Sequence, residues 1–477
     1  MSTTVSEALI RDVVSEVLSR LQGNGRVATA PPVPAGGRDG IFQTVDEAVA
    51  AAKVAQKRLV AETLETRAKA IKCIRRICLE QKEELARIEY DETRIGRMDH
   101  KIEKLIVVGE KVPGMEMLTS EAVSGDHGLT VTEHAPWGVL GVITPVTHSI
   151  PTLGCNAIMM IAAGNTLVCN PHPSGARCAA VATQRWNRAI REATGLDNLI
   201  CLIEKPTLQT ADQIFKHPDI AMLVVTGGPG VVAAAMASNK KAIVAGPGNP
   251  PVVVDCTADI EKAAAGIIFG HAYDNNLLCI GEKEVIVVEA VADKLLEAFS
   301  RHGGYRLNAE QIRAFTAMAL HKDEKSGHWL PDKKFVGKDP QVLADAIGIR
   351  LPQGTQCLYG EVDEHSPWLP CEQMMPFLPV VRAKSIDQAI AMAVEYEHGF
   401  GHTAIIWSRN VENMTKMGKA VDTTIFVKNG ACMASLGAGG EGFASFSIAT
   451  PTGEGITSPM TFTRYRRCVM VDNLRIL

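Results

Sequence analysis

Along residues 3–22 apolar side chains recur at helical spacing. Val5, Leu9, Val13, Val17 and Leu21 fall four apart with Ile10, Val14 and Leu18 beside them, while Glu7, Arg11, Asp12, Glu16 and Arg20 take the other side. That period predicts one short amphipathic helix. Residues 23–40 include Pro31-Pro32-Val33-Pro34-Ala35-Gly36-Gly37 and read as a flexible or polyproline linker. A helix on such a tether is expected either to dock its apolar stripe into a partner's groove or to fold back on the main body. From Thr44 to about Val112 the pattern is helical again, enough for three or four helices, and it opens on Thr44-Val45-Asp46-Glu47, the spacing of a capping box.

After these helices the period changes. Residues 129–133 and 138–144 read as strands, and from Ile150 onward helix-length stretches alternate with short apolar strands at 167–169, 199–203, 222–226 and 242–245. Such alternation predicts a parallel sheet with helices on both faces. A second alternating set runs from Pro251 to Val427, so the expected architecture is two α/β lobes with a cleft between them.

Composition narrows the function classes. The 477 residues are 46% hydrophobic, ample for two or more cores, and the formal net charge of -4 with no Lys/Arg-dense run argues against nucleic acid or an anionic membrane as partner. The most apolar region, residues 137–169, is broken by Pro145, His148, Pro151, Asn156 and Asn165, short of the ~18 uninterrupted apolar residues a membrane span needs. The N-terminal helix carries acids throughout, unlike a secretory signal. Twelve cysteines occur with no CxxC pair and no Cys/His set at zinc spacing, the usage of reduced cytoplasmic thiols without a structural metal.

One of those cysteines has an unusual setting. In Asp274-Asn275-Asn276-Leu277-Leu278-Cys279-Ile280-Gly281-Glu282-Lys283, a helix-like run (260–272) gives way to a polar turn, then Cys279, then the β-branched strand 284–288. A thiol on a short loop held by two regular elements is placed to react, whereas structural thiols lie inside apolar runs; a small core residue is the competing reading. Three glycine clusters could approach phosphate. Thr226-Gly227-Gly228-Pro229-Gly230 follows a strand and opens a helix near Val231, the geometry that suits a pyrophosphate. Ala245-Gly246-Pro247-Gly248-Asn249-Pro250-Pro251 cannot start a regular helix and reads as a loop where backbone passes close to a ligand. Residues 437–442 match GxGxxG literally but open no helix, so a tight turn near the cleft is expected there.

Taken in order, Thr144-Pro145, Asn170-Pro171-His172-Pro173, Thr226-Gly227-Gly228, Asp274-Asn275-Asn276-x-x-Cys279, Glu372-Gln373-Met374-Met375-Pro376 and Thr450-Pro451-Thr452-Gly453-Glu454-Gly455 resemble the aldehyde dehydrogenase superfamily, in particular its coenzyme-A-acylating branch. The likeness runs from about residue 41 to the end. The leader helix and linker further resemble the propionaldehyde and acetaldehyde dehydrogenases of bacterial microcompartments. The resemblance implies an α/β fold of two Rossmann-type lobes with an oligomerisation hairpin: a targeting helix at 1–22, a linker at 23–40, a nucleotide-binding domain at 41–252 whose strands near 129–144 partly serve oligomerisation, a catalytic domain at 253–428, and a C-terminal return and oligomerisation segment at 429–477. It also implies a homo-oligomer, dimer or tetramer, that uses NAD and coenzyme A on a small aldehyde in a microcompartment lumen, contacting shell or cargo proteins through residues 1–22.

Carried over residue by residue, Cys279 is the expected nucleophile and Glu372 the partner of the nicotinamide ribose. Thr226, Gly227 and Gly228 are expected at the pyrophosphate, with Thr144, Pro145, Asn170, His172 and Gly246 completing the cofactor site. The oxyanion is expected on the Cys279 N–H with Thr147 or His148. This chain has Thr147-His148-Ser149 where the branch usually reads Thr-Asn-Pro, so His148 stands as a donor, a base for the coenzyme A thiol, or a packed loop residue. Hydrolytic relatives place a glutamate in the loop read here as residues 245–248, which offers only Ala, Gly and Pro. A free-acid product, an acyl-phosphate reductase and a catalytically silent scaffold are the competing readings. Few charges near the pocket point to a small uncharged aldehyde.

Overall fold

The structure, a computed structural model, describes residues 39–324 and 327–474; the leader helix and most of the linker lie outside the described residues. Four helices open the described chain, at Val45–Ala61, Leu64–Glu80, Lys82–Thr93 and Met98–Lys111. The first is capped as its sequence predicts, the Thr44 hydroxyl accepting from the Glu47 N–H at 3.3 Å.

Two parallel sheets follow. The first has the order Ile41–Phe42, Ile200–Ile203, Thr166–Pro171, Val139–Thr144, Ile220–Thr226, Lys241–Ala245. The chain steps outward from Val139–Thr144 in one direction and then resumes on its other side, so strand order reverses between Val139–Thr144 and Ile220–Thr226. Ligands of open α/β sheets bind at such a reversal, outside the carboxyl ends of the strands. The second sheet has the order Gly304–Arg306, Cys357–Glu361, Phe377–Ala383, Glu284–Val288, Pro251–Val254, Thr403–Trp407, Ile425–Lys428. Strand Pro251–Val254 pairs with Glu284–Val288 in this second sheet, so it begins two residues ahead of the expected start of the catalytic lobe. Both sheets are parallel throughout. Their strands are buried on both faces, which is why they read as continuous Val/Ile/Leu runs and not as alternation. Helix Ser149–Ala162 is buried at every position, which accounts for the length of the apolar region around it.

A third, antiparallel sheet stands apart. Glu121–Gly125 pairs with Gly128–Pro136, which pairs along its whole length with Thr463–Val471. Strand Val139–Thr144, by contrast, is central in the first sheet, so of the strands near 129–144 only the earlier belongs to this outlying layer. Its last strand leaves Tyr465, Val469, Met470 and Val471 exposed. The glycine run after Leu436 forms a turn with Gly437, Gly439 and Gly442 at positive φ, opening no helix.

The two main layers are tied by buried charge. Lys104, on helix Met98–Lys111, donates to the Asp274 carboxylate, and both side chains are essentially inaccessible. A second buried pair, Lys101 to Glu89, lies on the same helix, and the free Glu89 oxygen accepts from the Ile150 N–H at the start of helix Ser149–Ala162. Removing one partner of a buried pair strands the other without water. Lys104→Met is therefore expected to destabilise the protein by about 3–5 kcal/mol in denaturant unfolding, whereas Lys416→Met, which breaks the exposed pair with Asp387, should cost under about 1 kcal/mol. Equal losses in the two variants would remove the buried pair from its structural role.

Candidate active site

Cys279 hangs on an uncommon turn. Helix Ile260–Ala272 ends in a 3-10 turn, Tyr273–Asn276, in which Asp274, Asn275 and Asn276 all take left-handed backbone, with φ of 49°, 55° and 64°. Asp and Asn tolerate that region better than other side-chain-bearing residues, and each here is fixed by its own polar atoms. Asp274 accepts from Lys104 and from the Arg97 N–H (2.9 Å), and its own N–H donates to His100 Nδ1 (2.8 Å). Asn275 Nδ2 donates to the Gly337 carbonyl (3.1 Å) and Asp339 Oδ1 (2.9 Å). Asn276 Nδ2 donates to the carbonyls of His271 and Glu282, both at 3.0 Å, closing the loop that carries the thiol.

The thiol is partly buried. Burial pushes its pKa up to about 12 and Glu372 adds to the rise; Lys283 and the N–H groups of Cys279 and Ile280 pull the other way. Cys256 and Cys468 are exposed and the remaining nine cysteines are buried, so exposure alone does not single out Cys279. Its company does. A Cβ added to Gly248 would lie 2.5 Å from the Cys279 carbonyl oxygen and 3.1 Å from the His402 ring, and the Gly248 backbone lowers the pKa of the Glu372 carboxyl against the rise that burial imposes. Cys279, Gly248, Glu372 and His402 thus meet where the segments leading into strands Glu284–Val288, Pro251–Val254, Phe377–Ala383 and Thr403–Trp407 enter one edge of the second sheet.

Positions 246 and 248 of the loop have no space for a side chain. At Gly246 a Cβ would sit 2.8 Å from Pro451 Cγ, and at Gly248 it would strike backbone. The C-terminal Thr-Pro-Thr segment closes this side, Thr452 accepting from the Val244 N–H at 3.2 Å.

The residues expected at the cofactor, Glu372 apart, come together at the carboxyl edge of the first sheet, as register requires: Thr144 stands opposite Pro171 and Thr226 opposite Ala245. Their side chains divide by role. The Thr144 hydroxyl faces Cys169 inside the sheet, Asn170 bonds the Thr207 carbonyl and the Thr210 hydroxyl, Thr226 bonds Ser447, and His172 Nδ1 accepts from the Ser174 N–H. What stays open is backbone. Helix Pro229–Met236 starts at Gly228 with no side-chain cap, and nothing lies within 4 Å of a Cβ added to Gly228 or Gly230. Uncapped N–H groups with clear space before them fit a dinucleotide pyrophosphate.

Thr147 and His148 lie at the entry to helix Ser149–Ala162. The Thr147 carbonyl accepts from Lys104 (3.4 Å), which ties this loop to the Cys279 turn. His148 is buried, its Nε2 paired with the Thr147 hydroxyl at 3.2 Å and its Nδ1 without a partner. Burial, then Lys104 and Lys101, hold it well below an ordinary histidine, so it is neutral.

Sequence reasoning missed His402 and gave Lys283 no role. His402 is buried; Nδ1 pairs with the Thr403 hydroxyl at 2.9 Å, Nε2 has no partner, and burial lowers its pKa to about 4. Its one sequence signal is Gly399-Phe400-Gly401 leading into a buried strand, which a structural histidine shares. The expected scarcity of charge also needs correcting: Lys283, Glu282 and Glu284 are buried around the loop and Glu372 half-buried beside it, so a count of surface charge does not register them.

Residues 37–306 match the model of the aldehyde dehydrogenase family. The chain is 44% identical over 469 residues to the acetylating acetaldehyde dehydrogenase of Escherichia coli K12, covering 98% of this chain and 99% of that one. Among solved structures, propionaldehyde dehydrogenase of Rhodopseudomonas palustris with bound coenzyme A and an acylated cysteine has TM-score 0.89 at 43% identity, covering 92% of this chain and 100% of that one. The propionaldehyde dehydrogenase of the Clostridium phytofermentans fucose-utilisation microcompartment also has TM-score 0.89, at 45% identity with the same coverage. With two parallel lobes joined at a cysteine loop and sequence likeness along nearly its full length, the chain belongs to the aldehyde dehydrogenase family.

Proposed function

We propose that the protein is a coenzyme-A-acylating aldehyde dehydrogenase, oxidising a short aliphatic aldehyde, propionaldehyde or acetaldehyde, with NAD+ and coenzyme A to acyl-coenzyme A and NADH. The observation that carries this reading is the absence of room at Gly246 and Gly248. A hydrolytic enzyme needs a side-chain base beside the acyl-enzyme to activate water, and here backbone and Pro451 fill that space. The acyl group must then leave on a nucleophile that needs less help, and a thiol is one. The relatives that bear acetylating and propionaldehyde dehydrogenase names support the same choice.

The chemistry assigned to the chain's own residues follows. The Cys279 thiol passes its proton to solvent water, the sulfur bonds to the aldehyde carbon, and the carbonyl π pair moves onto the oxygen. The resulting oxyanion is assigned to the Cys279 N–H with Thr147 or His148 from the other lobe. The open backbone of Gly227, Gly228 and Gly230 would hold NAD+, which would supply the hydride acceptor as the oxyanion collapses to the Cys279 thioester. Glu372 is assigned to the nicotinamide ribose. The incoming thiol gives up its proton as it attacks the thioester, and the unpartnered nitrogens of His148 and His402, both kept neutral by burial, are the acceptors in reach of the loop.

The outer sheet supports a homo-oligomer. Thr463–Val471 is an open edge strand nine residues long with apolar side chains in water, a surface that a second copy would cover. Residues 1–22 are assigned as the segment that docks the enzyme to shell or cargo proteins in a microcompartment lumen.

Cys279→Ala is expected to abolish NADH formation with the fold intact, and alkylation of the wild-type thiol should follow its raised pKa. Below about 12 the thiol form prevails, so the rate should be low at pH 7 and still climbing at pH 9.5. A plateau below pH 8 would contradict the assignment. Steady-state turnover should fall by on the order of 10²-fold when coenzyme A is omitted, leaving a single burst of NADH; equal rates with and without it would point to hydrolysis. Deleting residues 1–40 should leave turnover per active site unchanged and release the enzyme from a shell assembly in co-sedimentation, whereas loss of activity would place the leader in the catalytic body.

A further inference from the structure

Lys283 is fully buried four residues after Cys279, and its ammonium points back into the loop. Nζ donates to the Asn276 carbonyl at 2.9 Å, to Asn276 Oδ1 at 2.6 Å and to the Leu278 carbonyl at 3.2 Å. Three oxygens around one amine require three N–H donors. A neutral amine has two and would turn its lone pair on the third oxygen, so these contacts favour the charged form against burial, which lowers the pKa of the amine. The backbone of Lys283 is held as firmly, its N–H donating to the Pro250 carbonyl at 3.1 Å and its carbonyl accepting from Gln373 Nε2 at 2.7 Å. Gln373 adjoins Glu372, and Pro250 ends the loop that contains Gly248.

We propose that Lys283 is the positioning residue of the nucleophile: its ammonium locks the 276–278 turn that presents Cys279 and is the cation that offsets Glu372 beside the sulfur. This deepens the functional reading above and rests on its assignment of Cys279. Of the two side-chain charges that act on the sulfur, Glu372 opposes the thiolate and Lys283 favours it. The same cation holds the rise of the Glu372 carboxyl in check. An enzyme that must form a thiolate next to a carboxylate needs such a charge, and a lysine already fixed by three oxygens supplies it with little reorganisation.

Other titrating groups face Lys283. They are Glu282 and Glu284 beside it in the chain, His271 from helix Ile260–Ala272, Cys371 and Glu372 from the segment before strand Phe377–Ala383, His402 and Cys432. Glu282, raised to about 7 mainly by burial, changes charge in the neutral range. The measurement therefore belongs above pH 8, where it is ionised.

The test needs neither aldehyde nor coenzyme, so it succeeds or fails independently of whether the enzyme is acylating. Cys279 alkylation by iodoacetamide is followed by peptide mapping from pH 8 to 10 in wild type, Lys283→Met and Lys283→Arg, with melting curves to verify the fold and the exposed Cys256 and Cys468 as internal controls. Lys283→Met is expected to shift the log-rate line for Cys279 downward by roughly tenfold or more, the effect of one pKa unit, at every pH. Its slope and the two control thiols should not change, and Lys283→Arg should stay within about threefold of wild type. A folded Lys283→Met within about twofold of wild type overturns the proposal, as does a folded Lys283→Arg that is as slow as Lys283→Met. If Lys283→Met does not fold, Lys283→Arg decides alone: retention of the wild-type line supports the proposal and a tenfold loss overturns it.

Discussion

The Lys104–Asp274 pair is the constraint on which the site depends. Asp274 begins a run of three left-handed residues, a conformation that would relax if its carboxylate were free. Its partners are a lysine and a main-chain N–H from the helical region that precedes the first sheet. The same lysine reaches the Thr147 carbonyl, so one ammonium fixes both the loop of the nucleophile and the loop that faces it. Two lobes that share no strand are thereby held in register at the point where they cooperate. Such a pair gains little over a hydrophobic contact when intact, but leaves a stranded charge when broken, which suits it to specifying one arrangement.

Glycine decides the chemistry next to it. At position 248 the backbone passes so close to the Cys279 carbonyl that no side chain fits. That contact removes the place from which a carboxylate could activate water. The choice between water and a thiol as final acceptor is in this sense made by steric exclusion.

Electrostatics in the cleft follow one rule. Burial pushes every titrating group toward its neutral form: the thiol upward, both histidines downward, Glu282 and Glu284 upward. Fixed partners work against that push, as the three oxygens around Lys283 do. The resting site is thus largely uncharged and its nucleophile protonated. Activation must come with the ligands, whose developing charge meets backbone N–H groups and Lys283 already in place.

By itself the sequence determined the elements and their class. Helix 260–272 and strand 284–288 have the observed bounds, the parallel lobes follow from alternating periods, and the order of motifs carries the family, because each of these is encoded within a few residues of chain. The carboxyl-edge cluster of Thr144, Asn170 and Thr226 was legible for the same reason, although their side chains are taken up within the protein and backbone is what remains open. The motif at Glu372 carried its expected role as well, but only the tertiary structure decided what surrounds the Cys279 turn. His402, Gly248 and Lys104 come from separate segments of both lobes, and each taken alone reads as an ordinary core histidine, loop glycine or helix lysine. Their function lies in distances across the fold, set by where the edges of two sheets converge, and no local period or motif records a distance between segments that far apart in the chain.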